Sequence, residues 1–347
     1  MSRNRLDQLR KLPKVELHRH LDGSVRFETI LDLSRLHAID LGTENREELL
    51  KKTKLTSPMR NLEAVLDSFW TTQKVLASYE AIKRVTFENI EDAFRDGVRL
   101  LELRFAPVFI SEGKDLENDE ILEGVLDGMS EGMDRYPVQV GLIFIVPRTL
   151  DLEKNRAAFK EMLSYRKSGH RNSHRLCGFD LADSEDAFEA ERFTQFVEQA
   201  RQEGLGITIH TGENTSPKHV WKSLEVYQPD RIGHGIKAWE DPKLVDQLVE
   251  KGIHLELCPT SNYITRSVKT LEEHPLPRFH AKGMPLSINA DDPHLFDIDL
   301  VHEYEICARV FGLGEKEFLD INRAALPYSF LEEDIVAFVG KHLEEEL

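Results

Sequence analysis

His18 and His20 stand two positions apart at the end of an apolar run that opens after Pro13. Side chains at i and i+2 share one face of a β-strand, whereas on a helix they diverge. Two imidazoles at this spacing therefore converge on one metal ion if the run is a strand. Three further polar clusters follow: His210-Thr211-Gly212-Glu213, Gly233-His234-Gly235 and Asn289-Ala290-Asp291-Asp292-Pro293. Three histidines and one carboxylate suit a borderline-soft dication such as zinc. The expected ligands of one Zn2+ per chain are His18, His20, His210 and Asp291, with a water in the open position. Zinc lowers the pKa of such a water from about 15.7 to about 7, which removes roughly 12 kcal/mol of deprotonation cost at neutral pH. His234 is then free to act as base and to hold the hydroxide electrostatically. Glu213, three residues beyond a ligand, is placed to protonate a ring nitrogen or a leaving amine, and Asp292 to face a substrate. Groups this close titrate as a coupled set.

These clusters need strands to carry them. The chain alternates short β-branched or apolar runs with longer stretches of helical spacing. After the opening run, strands are expected at Val98–Phe105, Val138–Val146, Cys177–Leu181, Gly206–His210, Arg231–Gly233, His254–Leu257 and Met284–Asn289. Helices are expected from Phe27, at Leu62–Trp70, Tyr79–Arg95, Leu116–Arg135, Leu152–Lys167, Ala187–Glu203, Pro217–Tyr227 and Pro242–Lys251. Ser216-Pro217 and Asp241-Pro242 each place a capping side chain before a proline at the first helical position. Asp40 to Pro58 reads as a polar, irregular excursion. Two or three helices close the chain, the last from a capping box over Ser329–Glu332. Eight strands alternating with helices specify an α/β fold, a (β/α)8 TIM barrel with extra helices inserted after strand 1 and at the C-terminus, in one domain over residues 1–347. An open doubly wound sheet is the alternative. In a barrel the polar clusters fall at the carboxyl ends of the strands, where such folds carry their chemistry.

A net charge of −17 over 347 residues repels polyanions and argues against nucleic-acid binding. No apolar run approaches the roughly 20 residues of a membrane span, and the first fourteen residues lack the apolar core of a signal peptide. Three widely spaced cysteines argue for a reducing, cytoplasmic setting without disulfides. The fourth strand's end, Gly178 to Asp183, holds no lysine to bridge two metals, which favours one ion. No Pro-Cys-x-x-Cys pair is present, which excludes the cytidine-type zinc deaminases.

His18-Arg19-His20-Leu21-Asp22-Gly23, His210-Thr211-Gly212-Glu213, Gly233-His234-Gly235 and Asp291-Asp292-Pro293, in that order, resemble the motifs of adenosine deaminases of the amidohydrolase superfamily. Leu257-Cys258-Pro259-Thr260-Ser261-Asn262 is similar as well, and the resemblance runs from about Leu12 to Phe330. It implies zinc-dependent hydrolytic conversion of adenosine, and of 2′-deoxyadenosine, to inosine or its deoxy analogue and ammonia. It matches His18, His20, His210 and Asp291 to the zinc ligands, Glu213 to the acid on purine N1, and His234 to the residue activating the water. Asp292 matches the contact to N7. His20 and Asp22 stand on the substrate side, Asp22 matching the carboxylate on a ribose hydroxyl. Leu62, Leu66 and Phe69 match an apolar lid over the purine, although a plain core-facing stripe explains them equally. The family usually has glycine where Asp183 stands, its backbone N–H bonding N3; a backbone donor survives substitution, and Asp tolerates left-handed angles better than most residues.

Relatives in the superfamily act on adenine, N6-substituted adenine nucleosides or nucleotides, or aminofutalosine-type nucleosides. The adenine branch resembles this chain but typically has Glu in place of Asp22. A 5′-phosphate would set like charge near Asp22, a repulsion of about 4 kcal/mol at ~4 Å, so a small-molecule purine nucleoside is expected. A non-catalytic zinc-binding signalling protein on the same scaffold would call for a signal peptide and more cysteines, and would have no need of Glu213 with His234. The other histidines, His274 among them, read as surface or structural.

Overall fold

The computed structural model describes residues 3–60 and 62–345, without the side chains of residues 3, 4, 62–64, 66, 67 and 345. Eight strands follow one another around a single parallel sheet in chain order: β1 Lys14–His20, β2 Val98–Phe105, β3 Gln139–Pro147, β4 Leu176–Ala182, β5 Gly206–Thr211, β6 Arg231–His234, β7 His254–Leu257 and β8 Leu286–Ile288. This is the expected (β/α)8 barrel, and the strands lie within two residues of their expected limits. β8 is the shortest strand, and Asn289 and Ala290 after it close the barrel onto β1. Asn289 Oδ1 accepts from Leu17 N–H (2.9 Å), and Ala290 N–H donates to Glu16 Oε1 (3.0 Å). Beyond them His20 N–H donates to the Asp291 carbonyl (2.8 Å) and Asp291 N–H to the His18 carbonyl (3.2 Å). The seam thus fastens an expected metal-binding carboxylate to the strand bearing two of its partner imidazoles.

A register shift between Glu16 and Arg19 lets β1 depart from strict alternation. Val15 and Leu17 pack with Leu100 and the C-terminal segment at the floor of the barrel, while His18 and His20 both turn toward Asp291 above. Glu16 and Arg19 instead pair with each other at 2.7 Å, and Arg19 reaches Asp96 at 3.5 Å. On β2 the alternation is regular: Leu101, Leu103 and Phe105 face the helical layer, and Glu102 and Arg104 enter the barrel.

Branched aliphatic side chains commonly fill such a barrel; here a layer of ion pairs takes the middle. Arg104 bonds Asp180 and Glu256 (2.8 Å each), and Arg231 forms ion pairs with Glu102 (2.6 Å) and Glu256 (2.7 Å), all five side chains fully buried. Buried charges persist only when paired and hydrogen-bonded, and Thr208 and the Leu17 carbonyl supply further bonds. Below, Phe330 plugs the barrel with its ring 3.7 Å from the Arg231 guanidinium. A Cβ at Gly206 would overlap that ring, and one at Gly178 would come within 2.7 Å of it.

Four local expectations need correction. The excursion contains a helix, Arg46–Thr53, because Asn45 accepts from the Glu47 and Glu48 amides and Leu49 and Thr53 form one buried face. The expected helix Ala187–Glu203 is a 3-10 turn, Ala190–Phe193, followed by a helix over Thr194–Gln202. The last helix, Glu333–Glu345, starts later than expected, since the Ser329 hydroxyl is drawn to buried Glu102 (2.7 Å) and the Glu332 carbonyl accepts the first helical amides. Asp241 caps its helix as expected, whereas Ser216 makes no cap bond and turns to His219 (3.3 Å). The three cysteines are buried and unpaired, and no described helix is long and apolar enough to cross a membrane.

Candidate active site

The carboxyl ends of β1, β5 and β6 and the turn after β8 bring four imidazoles and a carboxylate to the barrel axis. His18 Nε2 and His20 Nε2 lie 3.3 Å apart and 3.1 and 3.3 Å from Asp291 Oδ1. The ring of His210 is 4.7 Å from that of His18 between centroids, and His234 Nε2 is 3.9 Å from Asp291 Oδ2. Gly233 makes this packing possible: a Cβ there would press on both rings, at 3.1 Å from His18 and 3.3 Å from His210. His234 and Asp291 both hold left-handed backbone angles (φ 63°), a conformation that costs an L-residue about 1–2 kcal/mol. That strain turns each side chain from its strand end toward the axis.

The donor set fits a metal. His18 Nδ1 is bonded to Glu256 (2.7 Å) and His210 Nδ1 to Asp180 (2.9 Å), which fixes each ring with Nε2 toward the centre. Burial lowers the His20, His210 and His234 pKa values, leaving neutral rings. Burial and Arg104 would also lower His18, but Asp291 and Glu256 outweigh them. Burial alone would raise Asp291, yet the surrounding imidazoles hold it well below the usual carboxylate range. Asp180 and Glu256 are likewise held low against burial, Asp180 by His210 and Arg104 and Glu256 by Arg104 and Arg231. Neutral His20 and His210 beside an ionised carboxylate suit zinc, and His18, raised by its two carboxylates, would give up its proton on binding the ion. His18, His20, His210 and Asp291 are brought together as expected, with His234 beside them.

Glu213 lies across the cavity, its Oε2 3.7 Å from His234 Nε2. Burial, then the charges of Asp291 and Glu185, push its carboxyl up to about 8. Its loop is clasped by Glu185, which accepts from the Gly212 (2.6 Å) and Glu213 (2.9 Å) amides and the Thr215 hydroxyl (2.8 Å). Asp292 is pushed well above the ordinary range by burial and by Asp291. Asp292 Oδ1 and Asp22 Oδ1 are buried without a hydrogen-bond partner, and burial lifts Asp22 to about 6. Orphaned polar atoms at a cavity wall call for a ligand.

Asp183 takes the left-handed angle a glycine takes freely (φ 75°). Its carboxylate folds away onto the Thr149 amide and hydroxyl and the Ser184 amide (2.7 Å). Phe69 lines the cavity with Asp183, Glu213, His234 and Asp292, and also packs with Val65, Leu295 and Phe296, so it serves both lid and core. The helix Leu62–Gln73 is present, but the side chains of Leu62 and Leu66 lie outside the described residues. Sequence reasoning missed Asp180, Glu256, Arg104 and Glu185. A charged residue inside an apolar strand, as in His254-Leu255-Glu256-Leu257, is the signal that pointed to one of them.

Comparison with known proteins agrees with this geometry. The adenosine deaminase family model matches residues 13–343. An adenosine deaminase of Salmonella schwarzengrund is 36% identical over 323 residues, 93% of this chain and 95% of its own length. Among solved structures, an adenine deaminase from Arthrobacter aurescens superposes with a TM-score of 0.85 at 27% identity, covering 96% of this chain and 98% of its own. The N6-mAMP deaminase of Arabidopsis superposes equally well, with a TM-score of 0.85 at 27% identity over 98% and 99% of the two chains. The match runs through all eight strands and every polar cluster at their ends, and the chain belongs to the adenosine deaminase family.

Proposed function

We propose that this enzyme hydrolytically removes the 6-amino group of adenosine, and of 2′-deoxyadenosine, around one zinc ion held by His18, His20, His210 and Asp291. The observation that carries this reading is Glu213: a buried carboxyl, raised to about 8, faces His234 across the same cavity as that donor set. When bound, zinc supplies a water acidic enough to attack near neutral pH. Glu213, protonated below about 8, donates to purine N1 and makes C6 electrophilic. Asp292, also raised, carries the proton that N7, a lone-pair acceptor, requires. His234 orients the attacking water. Asp22 offers its unpartnered oxygen to a ribose hydroxyl, and the backbone N–H of Asp183 serves N3.

A nucleoside fits better than a nucleotide. The two adjoining cavities are lined by Asp22, Asp183, Glu185, Glu213, Asp291 and Asp292, and by no lysine or arginine among the described residues. A phosphate about 4 Å from one such carboxylate would be repelled by about 4 kcal/mol. Lys114, whose charge bears on Asp22, is tied to Gln73 Oε1 (2.7 Å). Free, buried cysteines suit the reducing cytoplasm proposed for the enzyme. Turnover of adenosine, deoxyadenosine, adenine, AMP and N6-methyladenosine by the purified protein tests the reading. Adenosine is expected to lead, with ammonia release lost on chelation; preference for AMP or adenine overturns the substrate assignment.

A further inference from the structure

His234 is joined to a buried chain of hydrogen bonds running away from the site. Its Nδ1 lies 3.2 Å from Asn262 Nδ2, and Asn262 Oδ1 lies 3.1 Å from His274 Nε2. His274 Nδ1 in turn lies 3.1 Å from the backbone nitrogen of Leu276. All three side chains are essentially inaccessible to solvent. Each imidazole or amide taken alone could be oriented either way. The chain as a whole has one direction, because a backbone N–H only donates.

The Leu276 amide donates to His274 Nδ1, so the single proton of a neutral His274 sits on Nε2. Burial, and then Arg278, keep that ring neutral, with a pKa near 3. Its Nε2–H donates to Asn262 Oδ1, which turns the Asn262 amide nitrogen toward His234. The amide N–H donates to His234 Nδ1, leaving the proton of the neutral ring on Nε2. That nitrogen faces Glu213 Oε2 at 3.7 Å and Asp291 Oδ2 at 3.9 Å.

We propose that Asn262 and His274 are positioning residues that hold His234 as its Nε2–H tautomer, so that it presents a hydrogen-bond donor rather than a lone pair to the attacking oxygen. The proposal rests on the reading of His234 as the residue facing that oxygen. It keeps the electrostatic half of the role expected for His234 and removes the base half, since no proton is accepted at an Nε2 that already carries one. Phe311 stacks on His274, with centroids 5.8 Å apart and planes at 28°, and steadies the far end of the chain.

The tautomer is read directly from long-range 1H–15N correlations of 15N-histidine-labelled enzyme, metal-free and zinc-loaded, without substrate. The expected spectrum assigns the proton of His234 to Nε2 in both forms; an Nδ1–H or doubly protonated His234 overturns the proposal, whatever the substrate proves to be. In Asn262→Asp, the new carboxylate accepts from His234 Nδ1–H and reverses the tautomer. Its kcat is expected to fall on the order of 100-fold or more, as wrong-tautomer histidines do in other hydrolases, with KM little changed. His274→Phe keeps the stack but loses the donor, and is expected to lower kcat; His274→Gln, which restores a donor, is expected to recover most of that loss. These rates are measured on whichever aminopurine is turned over fastest, so a wrong substrate assignment leaves the test intact. Unchanged kcat in both Asn262→Asp and His274→Phe, with the spectrum of His234 unaltered, also overturns it.

Discussion

Gly23 and Asp292 meet so closely that a side chain on residue 23 would occupy the place of the Asp292 carboxylate. The glycine directly follows Asp22, so one turn holds the proposed ribose contact and makes room for the proposed N7 contact. Gly23→Ala is therefore expected to displace Asp292 while leaving the four proposed metal ligands in place. The expected outcome is a loss of kcat/KM on the order of 100-fold, the scale of a lost proton-transfer group, with zinc content by metal analysis unchanged. Retention of full activity would contradict the assigned place of Asp292.

In its proposed role Glu213 must be protonated to donate to N1. Its pKa is raised above the ordinary carboxyl value, so the active form persists at neutral pH and is lost as pH rises through about 8. Burial is the largest cause and Asp291 the next; a bound dication offsets the Asp291 charge and moves this limb toward lower pH. The kcat profile should fall on the alkaline side, and Glu213→Gln should lose about 10²–10⁴-fold in kcat while binding zinc. Full activity in Glu213→Gln would remove the acid role.

Asp183 should be replaceable by glycine. The substitution relieves a left-handed angle but gives up the bonds to Thr149 and Ser184. These effects oppose each other at about 1 kcal/mol apiece. Turnover of adenosine should change less than about tenfold and the denaturant midpoint little. A large loss of KM-determined affinity in Asp183→Gly would mean that the carboxylate itself meets the substrate.

Glu256 bonds Arg104, Arg231 and His18 at once, each at 2.7–2.8 Å. Glu256→Gln leaves two guanidinium groups short of charge in the barrel and places an amide N–H against one of its four donors, Thr208 being the fourth. Unfolding free energy should drop by about 3–5 kcal/mol, and zinc affinity by about 10–100-fold as His18 loses its orienting partner. Denaturant titration and metal competition measure the two separately.

The order of strands, the polar clusters at their ends and the donor types were legible in the sequence, because strand alternation and helical spacing are local patterns and barrel chemistry gathers at strand ends. Asp183 shows the same legibility: its tolerance of a left-handed angle followed from residue type alone, and the backbone uses it. The ion layer was not legible. Arg104 and Glu256 are 152 residues apart, and no local rule says that they share a barrel interior until the sheet closes. His274 read as an ordinary structural histidine, since its bond to Asn262 and Asn262's bond to His234 depend on how β6, β7 and the turns after them pack. Periodicity determined which elements form and which ends carry reactive groups; only closure of the barrel decided which buried groups pair, because charge pairing and hydrogen-bond direction depend on distance in space and leave no period in the chain.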